Sequence, residues 1–190
     1  MNSFLYSLKE TAKAFLYPPS HLPKNAPYVR DPVDIKRVMT LVVFALMPAT
    51  FFAILSTGMH SILYSAVNIP LMQEYIVASN SISGYFAFLF SHFFSFFFEG
   101  CKLYIPQLIL IYTVGGIVEI FFASFHRKTV SEGFFVTGIL FALILPCTLP
   151  YWMTTFGVVA GLVLGKEIFG GTGMNIFNPA LLARVFIFFT

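Results

Sequence analysis

The order of apolar and polar residues divides the 190-residue chain into a polar arm and a series of hydrophobic runs. Residues 38–57 form a run of 20 residues without a charged side chain, the length that crosses a hydrocarbon core about 30 Å thick. Residues 103–125 form a second long run, in which Glu119 is the only charged residue. These two runs predict membrane-spanning helices.

The remaining apolar runs are shorter. Residues 58–80 are more polar and predict an external loop or an interfacial excursion, and the aromatic-rich residues 82–98 leave open whether they span. Residues 134–145 and 152–165 flank the sequence Pro-Cys-Thr-Leu-Pro. This pattern indicates either two short helices meeting at a proline corner or a discontinuous segment at membrane depth. A last run starts at residue 176 and reaches the chain end without a helix-ending residue.

The first 37 residues carry 6 of the 11 basic residues. Residues 1–17 space their apolar side chains as a helix does, which predicts a short amphipathic helix lying on a surface. Basic residues flanking a first span favour the cytoplasmic side, so the N-terminus is expected there. The chain is thus divided into a cytoplasmic arm, residues 1–37, and a transmembrane domain, residues 38–190, whose C-terminal end is expected to be incomplete.

Composition supports a membrane location and narrows the function. The chain is 58% hydrophobic and 10% charged, whereas an ordinary soluble domain has about 25% charged residues. A soluble globular protein and a nucleic-acid binder are therefore excluded. The two cysteines and four scattered histidines have neither the spacing of a metal site nor that of a nucleophile and its base. The predicted fold class is an all-α polytopic membrane protein of about four to six helices, some short or broken.

Glu119 is the first candidate functional residue, because it lies inside the second span, where an ionised side chain costs about 2.5–3.5 kcal/mol on insertion scales and more on other estimates. Gly115 and Gly116 lie four and three residues before it, so all three share one helix face. A bare carboxylate suits a hard cation such as sodium, or a proton. The alternative is a structural glutamate at a helix crossing, hydrogen-bonded or protonated.

Residues 165–184 hold the richest set of polar and glycine residues. The set comprises Lys166, Glu167, Gly170, Gly171, Thr172, Gly173, Asn175 and Asn178. The glycines allow a sharp turn, and Asn178 followed by Pro179 predicts the N-cap and first position of a helix. The spacing matches neither the dinucleotide fingerprint nor the phosphate loop, so a ligand site and a simple turn both stay open.

Several long motifs resemble a known family. These are YVRDPVDIKRVMTLVVFALMPATFF, VGGIVEIFF, EGFFVTGILFALILPCTLPYW and GKEIFGGTGMNIFNPALLARVFIFF, which together start at residue 28 and run to the chain end. They are similar to the NqrB/RnfD family, which includes the B subunits of bacterial sodium-translocating NADH:quinone oxidoreductases. The resemblance implies the first half of a urea-transporter-like inverted-repeat bundle. It also implies a multi-pass subunit of the bacterial inner membrane, in a six-subunit complex that passes electrons to quinone and exports sodium.

The resemblance implies site residues, cofactors and partners. The implied residues are Asn175 and Asn178 at riboflavin, Gly115, Gly116, Phe186 and Phe188 at quinone or inhibitor, and Glu119 on the sodium path. The family also carries FMN on a threonine of a Ser-Gly-Ala-Thr motif. That motif does not occur in these 190 residues, so its attachment site is expected beyond residue 190. The other subunits, quinone and membrane lipid are the implied partners, and the chain is not expected to be catalytic alone.

Three alternatives to the B subunit remain. The D subunit of an Rnf-type electron-transport complex shares the Phe-Asn-Pro-Ala region. A flavin-free solute channel with the urea-transporter architecture would line a pore with the glycine turn. An inert scaffold is disfavoured because Glu119 has no Lys or Arg within its own span. Flavin stoichiometry separates the channel from the redox subunits.

Overall fold

A computed structural model describes residues 35–65, 69–126, 133–171 and 174–189. Within these ranges the chain forms α-helices and one π-helical turn and no strand, which confirms the all-α prediction. The helices are α1 Ile35–Tyr64, α2 Ile69–Ser79, α3 Ile82–Ser91, α4 Phe93–His126, α5 Gly133–Ile144, α6 Tyr151–Leu162 and α7 Pro179–Phe188. The π-helical turn, Val163–Glu167, continues α6. Residues 1–34 of the predicted arm lie outside the described residues, as do Thr172 and Gly173 of the glycine-rich segment.

Two helices among the described residues are long and apolar enough to cross a membrane, Val38–Tyr64 of α1 and Phe93–Phe125 of α4. Both present large apolar side chains outwards, such as Phe52 on α1 and Phe121 on α4, which are 68% and 65% exposed. A surface of this kind is suited to lipid rather than to water. The two predicted spans are therefore present as helices of membrane length.

Helix α1 does not stop at residue 57, so the loop predicted after it is wrong for residues 58–64. The reason is a close crossing with α4. A Cβ atom on Gly58 would lie 1.8 Å from the carbonyl oxygen of Phe96, and one on Gly100 would lie 1.9 Å from the carbonyl oxygen of Ile54. The two glycines let the helix backbones touch, as small residues do at membrane helix crossings. Residues 69–79 are also helical, as α2, which packs against α3.

The aromatic run 82–98 is split between two helices. Ser81 caps α3 by accepting a hydrogen bond from the Gly84 backbone N–H at 3.1 Å. Helix α3 ends at Ser91, and α4 begins at Phe93, with a single residue between them. The 10 residues of α3 are about 15 Å long, half the thickness of a hydrocarbon core. Helix α3 alone is therefore too short to span.

Helices α4 to α7 form the main core. The side chain of Gln107 on α4 reaches the Pro146 carbonyl beyond α5, and Gly115 faces Phe134 near the start of α5, so α4 and α5 are antiparallel. Helices α5 and α6 are 12 residues each and meet at the Pro146–Pro150 corner. The described residues thus form two short helices with a proline corner between them, a geometry that both interpretations of the pattern share. The buried core side chains are Tyr104, Ile111, Phe134, Phe141, Ala142, Leu145, Val158, Leu162, Ala180, Ala183 and Ile187.

A ladder of small residues joins α6 and α7. Three glycines spaced four apart face residues spaced four apart on α7, with Gly157 against Ile187, Gly161 against Ala183 and Gly165 against Pro179. A Cβ atom on Gly161 would lie 2.5 Å from the Ala183 Cβ and 2.7 Å from the Pro179 carbonyl oxygen. The pairing makes α6 and α7 antiparallel and fixes where α7 begins relative to the π-helical turn.

Candidate functional site

Glu119 of α4 forms a buried ion pair with Lys166 of the π-helical turn. The Lys166 Nζ donates a hydrogen bond to the Glu119 Oε1, and the two residues are 4% and 3% exposed. The Glu167 Oε1 lies 3.9 Å from the same Nζ, and Glu167 is 8% exposed. The carboxylate that lacks a partner within its own span therefore receives one from a separate segment of the chain.

The π-helical turn brings two consecutive charged residues to the bundle interior. Helix α6 lies parallel to α4, with Leu162 near Gly115 and, one turn further on, Lys166 at Glu119. Gly165, Lys166 and Glu167 are all buried. A π-helical turn is rare in proteins, and here it ends α6 rather than interrupting it. A Cβ atom on Gly165 would lie 3.1 Å from the Pro179 Cα, so the charged cluster lies beside the start of α7.

The positive and negative charges of these three residues do not cancel. With Glu119, Lys166 and Glu167 ionised, two carboxylates surround one ammonium and the cluster carries a net charge of about −1. A buried net charge is costly unless a further partner neutralises it. One proton or one monovalent cation would make the cluster neutral.

The predicted glycine turn follows the charged cluster. Gly170 and Gly171 have backbone φ angles of +104° and +100°, which residues other than glycine rarely adopt. The backbone N–H of Gly171 donates to the Lys166 carbonyl at 3.1 Å, and that of Gly170 donates to the Glu167 carbonyl at 3.1 Å. The glycine turn is thus hydrogen-bonded to the backbone carbonyls of the two charged residues, Lys166 and Glu167.

The two asparagines lie on the exposed segment before α7. The Asn178 Oδ1 accepts a hydrogen bond from the Ala180 backbone N–H at 3.0 Å, with Pro179 at the first helical position, which confirms the predicted cap. The Asn175 Nδ2 donates to the Phe177 carbonyl at 3.2 Å. Both side chains are exposed. Because Pro179 contacts Gly165, this segment and the charged cluster belong to the same end of the bundle.

The adjacent glycines Gly115 and Gly116 differ in their surroundings. A Cβ atom on Gly115 would lie 2.5 Å from the Phe134 ring and 3.2 Å from Leu162, so protein side chains already fill that space. The nearest atom to a Cβ on Gly116 would be 4.0 Å away. Gly115 therefore lets Phe134 pack on α4, while Gly116 leaves an open approach to the helix backbone.

Phe186 and Phe188 lie towards the other end of α7. Phe186 contacts Phe156 edge to face, with ring centroids 6.4 Å apart. Phe188 is 80% exposed and contacts Phe189. The neighbouring Ile187 packs on Gly157, two helical turns from the level of Gly165 and Lys166. The structure thus groups Glu119 with the asparagine segment and leaves the two phenylalanines at a separate level.

A second buried polar group lies on α4, and no sequence pattern predicts it. Tyr104 and Gln107 are 2% and 3% exposed, one helical turn apart. The Gln107 Nε2 donates to the Pro146 carbonyl at 3.3 Å, whereas the Tyr104 hydroxyl and the Gln107 Oε1 have no hydrogen-bond partner among the described residues. From α7, Arg184 donates to the Ile144 carbonyl at 2.5 Å. Side chains of two helices therefore hold the proline corner.

Helices of membrane length, a proline-broken helix pair and a buried ion pair define a helical integral membrane protein with charged groups inside the bundle. The sequence model of the NQR2, RnfD, RnfE family matches residues 23–190, and the chain belongs to this family. The resemblance found in the motifs is thereby confirmed.

Three similar curated relatives share one name, which describes each as the B subunit of a Na(+)-translocating NADH-quinone reductase. The protein from Chlamydia caviae is 48% identical over 178 residues, which cover 93% of this chain and 35% of the relative. The protein from Stutzerimonas stutzeri is 43% identical over 185 residues, covering 97% of this chain and 46% of the relative. The protein from Klebsiella pneumoniae strain 342 is 40% identical over 192 residues, with coverages of 97% and 46%. The chain spans less than half the length of these relatives.

Proposed function

We propose that this chain forms part of the NqrB membrane protein of a sodium-translocating NADH:quinone reductase. In this role it contributes flavin and quinone sites and part of the sodium path, and it helps to couple electron transfer to sodium export. The names of the relatives support the assignment. The structural observation that carries it is Glu119, buried on a helix of membrane length within a cluster of net negative charge.

Glu119 is the proposed sodium-path residue. It lies seven residues before the end of α4 at His126, which is about 10 Å along the helix, and so near one face of the membrane. With the N-terminus in the cytoplasm, α1 leads outwards and α4 returns, so this face is the cytoplasmic one. Sodium is a hard cation that prefers oxygen ligands, and a carboxylate at this depth would take it from that side.

The asparagine segment is the proposed riboflavin site. Its donor set fits a polar heterocycle, because the Asn178 cap uses only Oδ1 and leaves Nδ2 able to donate. The neighbouring turn is open towards the described residues, since none of them places an atom within 4 Å of a Cβ on Gly171. Asn175 and Asn178 would hold the polar edge of the ring, and the bound flavin would supply electron transfer. In this proposal the covalently attached FMN belongs to sequence beyond residue 190.

The proposed quinone contacts are Gly115, Gly116, Phe186 and Phe188. Gly116 offers a direct approach, and Gly115 acts through the Phe134 ring that it allows to pack on α4. The two phenylalanines offer exposed or half-buried aromatic surface at another level of the bundle. A quinone with a long apolar chain can contact both levels. The site assignments rest on the family resemblance, and the geometry of the described residues is compatible with them.

The proposed architecture is the first half of a urea-transporter-like inverted repeat in the bacterial inner membrane, with the other subunits of a six-subunit complex as partners. Helices α5 and α6 support it, because 12-residue helices meeting at a proline corner are typical of such folds. The Rnf-type D subunit is the second candidate, since the matching family also includes RnfD.

The sodium dependence of quinone reduction in the assembled complex tests the proposal. Glu119→Gln should raise the half-saturating sodium concentration about tenfold, equivalent to about 1.4 kcal/mol of binding free energy. Glu99→Gln is the matched control, because Glu99 lies on the same helix, but its side chain is 38% exposed and is paired with Lys102 at 2.5 Å. An unchanged sodium dependence in Glu119→Gln would remove Glu119 from the ion path. Flavin content per complex separates both redox candidates from a flavin-free channel.

A further inference from the structure

Lys166 lies between two carboxylates rather than in a simple pair. Its ammonium is hydrogen-bonded to Glu119, and a second acceptor, the Glu167 Oε1, is 3.9 Å away. All three side chains are at most 7% exposed, so water contributes little to their solvation. The ammonium therefore has two carboxylates within its reach inside one dry cluster.

We propose that Lys166 is a positioning residue that competes with sodium for Glu119. Its ammonium holds the Glu119 carboxylate while sodium is absent, and it moves to Glu167 when sodium takes its place. The inference rests on the proposed function, in which Glu119 lies on the sodium path. It adds a residue and a mechanism that decide when Glu119 can bind the ion.

The charge of the cluster favours a ligand with a single positive charge, a proton or a monovalent cation such as sodium. Two carboxylates and one ammonium leave a net charge of about −1, and one monovalent cation brings the cluster to zero. A divalent cation would leave an excess positive charge in a buried site. In both positions of Lys166 each carboxylate remains beside a cation, so neither state leaves an isolated buried charge.

The movement needs only the lysine side chain. Lysine has a flexible four-carbon stem and a compact charge, so a shift of a few ångströms is within its reach. The backbone stays in place, because the Gly171 N–H donates to the Lys166 carbonyl and the Ile168 N–H donates to the Val163 carbonyl across the π-helical turn. Glu167 follows Lys166 in the same turn, and its Oε1 is already only 3.9 Å from the Lys166 Nζ.

Sodium titration of quinone reduction by the assembled complex tests the competition. Lys166→Met removes the ammonium while keeping the length of the side chain, and should lower the half-saturating sodium concentration about tenfold. Lys166→Arg keeps a cation at the site and should not lower it. If Lys166→Met assembles and its sodium requirement is unchanged or higher, the competition is overturned.

Glu167→Gln gives a second test that leaves the Glu119–Lys166 pair intact. Without its second acceptor, the ammonium stays on Glu119, and the cluster is already neutral without sodium. The half-saturating sodium concentration should therefore rise severalfold. An ion pair with a purely structural role predicts no change in this variant, and that result would overturn the inference even if Lys166→Met fails to assemble.

The Glu119→Gln background separates this inference from the proposed function. If Lys166 acts through Glu119, then adding Lys166→Met to Glu119→Gln should cause no further change in sodium requirement. Should Glu119→Gln shift the requirement while neither Lys166→Met nor Glu167→Gln does so, only the competition is wrong. Should Glu119→Gln itself have no effect, the sodium-path assignment is wrong and the competition is lost with it.

Discussion

The buried face of α4 carries two polar groups that differ in whether their polar atoms have partners. Glu119 is charged and hydrogen-bonded to Lys166 from another segment. Tyr104 and Gln107 are neutral, and each keeps one buried polar atom without a partner among the described residues. Glu119 and Gln107 are 12 residues, or about 18 Å, apart along the same helix. We call them the charged end and the neutral end.

The difference follows from the cost of burial. A buried amide or hydroxyl without a partner lowers the free energy of unfolding by about 1–3 kcal/mol. An unpaired buried charge lowers it by far more. The charged end must therefore be paired, and it depends strongly on the pairing residue. The neutral end can stay partly unsatisfied while Gln107 still holds the Pro146 carbonyl. Sensitivity to single substitutions should thus be high at one end of α4 and low at the other.

The largest effect on stability is expected from Lys166→Met, which leaves Glu119 and Glu167 without a cation. Breaking a buried ion pair by removing one partner costs about 3–5 kcal/mol. Thermal unfolding of the purified protein in detergent measures the loss. The double variant Glu119→Gln, Lys166→Met should recover only part of it, because the neutral glutamine needs no counter-ion, whereas the buried Glu167 still lacks its cation. Equal losses in the single and double variants would contradict this account of the charged end.

Gly161→Val should have the next largest effect, because it acts on the ladder that positions Lys166. The added side chain would meet the Ala183 Cβ and the Pro179 carbonyl of α7, and overpacking of this kind costs about 1–3 kcal/mol. Gly116→Ala is the control, since the nearest side-chain atom to its new Cβ among the described residues is on Phe134, 4.0 Å away. The same unfolding measurement should show no loss for the control. A loss in both variants would mean that helix packing does not discriminate between the two positions.

Much of the helical framework could be predicted from the sequence, because it depends on local patterns. The long apolar runs gave the two helices of membrane length, the prolines gave the corner at 146–150, and the Asn178–Pro179 pair gave the start of α7. The extension of α1 beyond residue 57 could not be predicted in this way. It depends on Gly58 meeting Gly100, a contact between residues 42 positions apart.

The candidate site was predicted only in pieces. Glu119 and Lys166 were each noticed, but the pair depends on α6 lying parallel to α4 in one particular register, which no local pattern specifies. The spacing of Gly157, Gly161 and Gly165 was a visible signal for the α6–α7 crossing, and would have placed Lys166 near the start of α7. Tyr104 and Gln107 gave no signal, because a single Tyr or Gln in an apolar helix is ordinary.

A smaller effect is expected from Gln107→Leu at the neutral end. The substitution removes the hydrogen bond from Nε2 to the Pro146 carbonyl, but it also removes the unpartnered Oε1. The two changes oppose each other, so the net loss should be about 1 kcal/mol or less. Unfolding of the purified variant in detergent measures it beside Lys166→Met. A loss as large as that of Lys166→Met would end the distinction between the two ends.

The smallest effect is expected from Tyr104→Phe, which should be neutral or slightly stabilising. It removes a buried hydroxyl without a partner among the described residues, and so relieves a desolvation cost rather than breaking a bond. Tyr112→Phe is the matched control on the same helix, because its hydroxyl donates to the Phe135 carbonyl at 2.7 Å. The control should lose about 0.5–1.5 kcal/mol in the same unfolding experiment. A greater loss in Tyr104→Phe than in Tyr112→Phe would show that the Tyr104 hydroxyl has a bound partner, such as an ordered water, and that the neutral end is satisfied after all.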